Sequence, residues 1–152
     1  MLTRKAKYGL QAVLRLAREH GKGPVLIADL AEGEAIPRKF LESILLELRH
    51  RGVLQSRKGK GGGYSLARPP SRISFGEVVR ILDGPLAPIP CVSLTAYRRC
   101  EECEDESACG IRRVMKDVRD ANARILDGTT LEDVLGRVGR AARSKRRPSK
   151  AR

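Results

Sequence analysis

Residues 36–68, IPRKFLESILLELRHRGVLQSRKGKGGGYSLAR, constrain the fold more than any other stretch of the chain. Phe40, Leu41, Ile44, Leu45 and Leu48 recur at three- and four-residue intervals, which predicts an amphipathic helix. Pro37 suits its first turn and Gly52 its stop. Val53, Leu54, Tyr64 and Leu66 predict two short strands, joined by the basic tip Arg57, Lys58, Gly59, Lys60, Gly61, Gly62 and Gly63. This is the order of a recognition helix followed by a β-wing. A helix fits the major groove of duplex DNA, and a cationic hairpin reaches the phosphates or the minor groove beside it. The candidate DNA-facing residues are Arg38, Lys39, Glu42 and Ser43 on the helix, with Arg57, Lys58, Lys60, Gly61 and Gly62 on the wing. The glycines lack side chains that would hold the backbone away from a phosphate. Glu42 costs phosphate attraction and suits base selection.

The rest of the chain supports the same architecture. Arg4–Glu19 predicts a helix with Leu10, Val13, Leu14 and Ala17 on one face. A turn over residues 21–24 leads to a short helix at Ile27–Gly33. Ser74 with Glu77 three residues later predicts a capped helix to about Leu82, stopped by Asp83-Gly84. The expected class is mainly α with a small β-wing: a winged helix–turn–helix domain over residues 1–84, followed by a long dimerisation helix. Pro85, Pro88 and Pro90 make the next segment extended, and residues 85–109 form a cysteine-containing sensor loop. Residues 110–136 predict the long helix and a short terminal one, with Thr129–Glu132 or Thr130–Asp133 capping the latter. Ile111, Val114, Met115, Val118, Ala121 and Ile125 form an apolar stripe on the long helix. Ile111, Val114, Met115 and Val118 are the candidate contacts with a second copy, since a two-fold DNA site rewards a two-fold protein. Residues 137–152 lack an apolar period and are expected to be a disordered basic tail.

Charge is distributed to match. The formal net charge is +13. Residues 1–68 carry 14 basic and 6 acidic side chains, residues 69–136 carry 9 and 12, and residues 137–152 carry 8 and none. The positive field therefore sits on the expected DNA-binding part and on the tail, which favours a double-stranded DNA partner. No apolar run reaches membrane-spanning length and the N-terminus lacks a secretory pattern, so no membrane partner and a cytoplasmic location are expected. No Ser-His-Asp arrangement is readable, and GKGGGY lacks the GK[ST] of a phosphate-binding loop. A DNA-binding regulator, with repression the expected sign, is therefore favoured over an enzyme. The alternative is an architectural protein that coats nucleic acid without sequence preference.

All four cysteines, Cys91, Cys100, Cys103 and Cys109, lie within nineteen residues. Thiolates are soft ligands for iron–sulfur clusters or zinc, and a cytosolic chain rarely concentrates them for structural disulfides. Cys109 falls at the start of the long helix, where the positive dipole end favours a thiolate. Carboxylates at Glu101, Glu102, Glu104, Asp105 and Glu106 oppose an anionic cluster yet attract a divalent cation. The residues leave three readings open: an iron–sulfur cluster, zinc, or free redox-active thiols. His20 and His50 end helices and are expected to cap them or face solvent.

RKGKGGGYSLAR, preceded by IPRKFLESILLELRHRGVL, resembles the Rrf-two family of bacterial winged-helix regulators. The resemblance extends over about residues 1–135, through KYGLQAVLRLA near the start and ISFGEVVRILDG before the cysteines. It implies a dimeric transcription factor, and for several members an iron–sulfur cluster that alters DNA affinity. Cluster-binding members present three cysteines, the last two separated by five residues. Cys103 and Cys109 match that interval, Cys91 takes the first position, and Cys100 is additional and a candidate fourth ligand. Arg112 stands where some members place a ligating histidine, and Lys7 near where others place an acidic ligand. Lys58 stands where wings of the family often carry a minor-groove arginine.

Overall fold

Thr3 starts the first helix. Its Oγ1 accepts the Ala6 N–H at 3.2 Å, and α1 runs Arg4–Arg18. The Thr3 N–H and hydroxyl both donate to the Asp83 carboxylate, so the chain start is tied to a helix eighty positions away. The structure, a computed structural model, describes residues 2–145. Helix α2 (Ile27–Gly33) and helix α3 (Arg38–His50) complete the helix–turn–helix. Strands β1 (Leu54–Arg57) and β2 (Gly63–Leu66) pair antiparallel, with Leu54 opposite Leu66 and Arg57 opposite Gly63. After a short 3-10 turn at Pro70–Arg72 come α4 (Phe75–Asp83), a second such turn at Pro90–Val92, α5 (Gly110–Asp127) and α6 (Leu131–Lys145).

The predicted apolar periods become the core. Leu41, Ile44, Leu45 and Leu48 of α3 are each fully buried against Val13 and Leu16 of α1, Leu30 of α2, Val53 at the strand entry, and Ile73 and Val78 around α4. Each such side chain stabilises the fold by about 1.5–3 kcal/mol on removal from water. Phe40 stays half-buried and meets Tyr8 edge-on, with ring centroids 5.6 Å apart at 77°. The Ser74 cap forms as the sequence predicts, with Oγ accepting the Glu77 N–H at 3.1 Å.

The C-terminal part differs from expectation. Residues 129–131 run antiparallel to residues 73–75, through Phe75 N–H to Thr129 O at 2.9 Å and Leu131 N–H to Ile73 O at 3.0 Å. A reciprocal box caps α6: the Thr130 N–H donates to Asp133 Oδ2 at 2.9 Å, and the Asp133 N–H to Thr130 Oγ1 at 3.1 Å. Leu131 is fully buried and Leu135 packs on the core, so the first turns are anchored. From that nucleus the helix continues through Lys145, past the Gly136 boundary where a disordered tail was expected. Ala, Arg and Lys are good helix formers, and propagation from an anchored turn needs no apolar stripe. Residues 146–152 of the expected tail lie outside the described residues.

Candidate nucleic-acid interface and cysteine loop

Helix α3 turns its apolar face inward, which leaves Arg38, Lys39, Glu42 and Ser43 exposed on the opposite side. Arg38 Nε donates to Glu42 Oε1 at 3.3 Å, one helical turn on. The Ser43 hydroxyl donates to Phe40 O at 2.8 Å, leaving its oxygen free to accept. The wing is fixed to this helix, because Arg49 Nη1 donates to Ser56 Oγ of β1 at 3.0 Å. Val25, ahead of α2, joins the sheet through an isolated antiparallel bridge, exchanging two backbone bonds of 2.8 Å with Tyr64. No residue pattern around Val25 marks this bridge. The reading helix, the wing and the segment before α2 are thus joined into one head.

Arg57, Lys58 and Lys60 are exposed at the wing tip, and with Lys39 they have no acidic partner among the described residues. Cations without internal partners keep their charge available for phosphates. The wing glycines also meet packing demands inside the hairpin. Gly61 is exposed at φ 72°, but Gly62 is buried and its N–H donates to Gly59 O at 3.0 Å, inside the wing. A Cβ on Gly62 would lie 2.3 Å from Arg57 O, and one on Gly63 would lie 2.3 Å from Val25 O. Close backbone packing requires glycine at both positions.

The four cysteines occupy three settings. Cys91 is buried in the Pro90–Val92 turn, which α5 holds through Arg119 Nη1 donating to Val92 O at 2.5 Å. Cys109 is the N-cap of α5, its Sγ accepting the Arg112 N–H at 3.4 Å. Between them, Cys100 is exposed and Cys103 half-buried on one tight turn, closed by Cys103 N–H to Cys100 O at 3.2 Å. Arg99 Nη2 anchors that turn by donating to Cys103 O at 2.8 Å and Glu104 O at 3.0 Å.

The acidic run is held locally. Ser107 donates its N–H and hydroxyl to Asp105, which keeps that carboxyl below the usual carboxylate range. The Tyr97 hydroxyl donates to Glu106 Oε1 at 2.6 Å, which raises the tyrosine above its ordinary range, and Glu106 lies 3.9 Å from Arg112 of α5. Among the described residues no group of three or more His, Cys, Asp or Glu side chains is placed to hold one metal ion. The expected four-thiol ligand set is not assembled. Packing and Arg119 fix Cys91, the helix start fixes Cys109, and the Arg99-anchored turn holds the other two. His20 and His50 are exposed, as expected.

Helix α5 has no buried residue. Ile111, Val114 and Ile125 are 69%, 57% and 62% exposed, with Val118 exposed and Met115 half-buried beside them. Arg80 of α4 reaches its last turn in a bidentate pair with Asp127.

A helix–turn–helix whose third helix presents polar side chains beside a cationic wing defines a winged-helix DNA-binding regulator. The chain belongs to the Rrf2 family, described as iron-dependent transcriptional regulators, which it matches over residues 2–137. A Rhodobacter capsulatus protein, named an rrf2-like HTH-type transcriptional regulator, is 44% identical over 94% of this chain and 97% of its own. The structure of CymR from B. subtilis, titled the global cysteine regulator of that organism, superposes with a TM-score of 0.74 at 33% identity, covering 88% of this chain and 95% of CymR. T. potens IscR superposes with a TM-score of 0.75 at 29% identity, over 93% of this chain and 90% of that one. These relatives are regulators, not enzymes. No helix among the described residues is long and apolar enough to cross a membrane.

Proposed function

We propose that the protein is a homodimeric, sequence-specific regulator of transcription, acting in the cytoplasm as a repressor whose DNA affinity is set at its cysteine loop. The single observation that carries this reading is the joined head. The Arg38, Lys39, Glu42 and Ser43 face and the Arg57–Lys60 tip are exposed together, and Arg49 ties helix to wing. The helix supplies base-edge contacts and the wing supplies phosphate or minor-groove contacts. Residues 1–84 act as the reading domain, 85–109 as the input, and α5 as the dimer seam. The uncovered stripe at Ile111, Val114, Met115 and Val118 supports pairing with a second copy, because an amphipathic helix with no buried residue lacks a partner for its apolar side.

The family description and the soft thiol donors support an iron–sulfur cluster as the input, with zinc as the alternative. The thiols as arranged do not fit either group, because no three of them converge. The proposed input is therefore the loop as a whole, with no metal assigned to it. That loop meets α5 through Tyr97, Glu106 and Arg112, and through Cys109 at the helix start. A change there reaches the dimer seam, and with it the separation of the two reading heads. Coupling requires the two states of the loop to differ in DNA affinity.

The test is selection of bound duplexes from a random pool, followed by titration of the selected and scrambled duplexes at several salt concentrations. A preference of at least several hundred-fold for the selected site is expected. Equal affinity for both would replace this reading with that of an architectural coating protein.

A further inference from the structure

We propose that Cys100 and Cys103 form a reversible intrachain disulfide, with hydrogen peroxide as the oxidant, and that Cys91 and Cys109 stay reduced. The inference rests on the reading of this loop as the regulator's input, and specifies its chemistry. Two observations single out the pair. The bond from Cys103 N–H to Cys100 O at 3.2 Å closes a four-residue turn around Glu101 and Glu102. Such a turn brings its end Cα atoms within about 7 Å, against the roughly 4.4–6.8 Å that a disulfide spans. Arg99 holds the far side of the turn through the carbonyls of Cys103 and Glu104, so the two cysteines stay neighbours.

The other two sulfurs are committed elsewhere. Cys91 is buried on a turn that Arg119 pins to α5. Cys109 Sγ caps α5 by accepting the Arg112 N–H. Cys91 and Cys100 do border one open pocket, which makes them the competing pair. That pairing would require the buried turn to release Cys91, whereas the Cys100–Cys103 turn is already closed.

Exposure sets the order of events. The exposed Cys100 sulfur, as thiolate, attacks one peroxide oxygen and the O–O bond breaks. Hydroxide leaves and is protonated to water, and Cys100 becomes a sulfenic acid. The Cys103 sulfur then attacks the Cys100 sulfur, and the sulfenic oxygen departs as a second water. Two thiols and one hydrogen peroxide become one disulfide and two waters. Two electrons pass from sulfur to peroxide. A dithiol reductant reverses the bond by exchange.

The experiment treats the reduced, metal-free full chain with one equivalent of hydrogen peroxide, alkylates it under denaturing conditions, and maps the tryptic peptides by mass. Cleavage after Arg99 and Arg112 puts Cys100, Cys103 and Cys109 in one peptide and Cys91 in another. The expected peptide is two hydrogens lighter, unlinked to any other, and alkylated only at Cys109. Cys91 is alkylated as well. Dithiothreitol restores both free thiols. Cys100→Ser and Cys103→Ser each abolish the bond, and Cys109→Ser, which keeps a capping side chain, preserves it. A link between the two peptides, a bond between two chains, or four alkylated cysteines would overturn the proposal.

DNA affinity is measured on the same samples. Unchanged affinity with the disulfide formed removes the loop as input and leaves the pair as a modification site. Altered affinity without the disulfide keeps the loop and removes the pair.

Discussion

Arg80 and Asp127 are joined by two parallel bonds, Nη1 to Oδ1 at 2.6 Å and Nη2 to Oδ2 at 2.7 Å. They lie forty-seven positions apart, and the pair locks α4 of the reading head to the last turn of α5. The shared hydrogen bonds raise Arg80 above its ordinary range and hold Asp127 below the usual carboxylate range. Because the folded pKa of Asp127 lies below its unfolded value, the stabilisation is complete above about pH 4 and fades as the pH falls through the folded value. Both side chains are more than a third exposed, so solvent limits the contribution to about 0.5–1 kcal/mol. Arg80→Ala is expected to lower stability by that amount in urea titration at pH 7, and to lose the difference at a pH low enough to protonate Asp127 in the folded state. An equal loss at both pH values would show that packing, not the pair, is responsible.

At the wing, Lys58 and Lys60 are expected to separate by role. Lys58→Ala should weaken binding to the selected site more than to scrambled DNA. Lys60→Ala should weaken both alike and reduce the salt slope by about one unit, as one lost phosphate contact would. Anisotropy titrations over a range of salt concentrations provide the readout. Two mutants with unchanged affinity and slope would remove the wing from the interface.

Much of this architecture was legible because it rests on local pattern. The Leu41, Ile44, Leu45 and Leu48 period marks the inward face of α3, Ser74 and Cys109 mark helix starts that the structure reproduces, and of the two caps open for the last helix the structure forms Thr130–Asp133. Readings that depend on distant backbone were not available. The need for glycine at 62 and 63 comes from the carbonyls of Arg57 and Val25, and nothing in GKGGGY reveals Val25 as a neighbour. The Arg80–Asp127 and Arg119–Val92 bonds join segments whose adjacency only the fold creates. Cysteine spacing showed that four thiols are close in sequence, but not that one would be buried in a turn and another would cap a helix. The helical residues 137–145 were missed because the anchoring of Leu131 and Leu135 lies upstream of the segment it organises.

Pairing of two copies through α5 is expected to depend on its apolar stripe. Val114→Asp with Val118→Asp places two carboxylates where a partner helix would bury them, at a cost of several kcal/mol without a compensating bond. Both residues are exposed in the single chain, so its own core should be untouched. Sedimentation at micromolar concentration should show a dimer for the wild type and a monomer for the double mutant. Circular dichroism should stay the same apart from α5. A wild type that sediments as a monomer would remove the seam.

The basic C-terminal end is expected to add affinity without selectivity. Arg137 and Arg140 are exposed on α6, and all eight charged residues after Gly136 are cationic. They can displace counterions from DNA, but nothing among the described residues fixes these two arginines in a base-reading geometry. Truncation after Gly136 keeps Leu131 and Leu135, the α6 residues that pack on the core. The shortened chain should show a shallower dependence of affinity on salt, with a similar ratio of selected-site to scrambled binding. A large fall in that ratio, with the fold intact by circular dichroism, would mean that this end of the chain reads sequence.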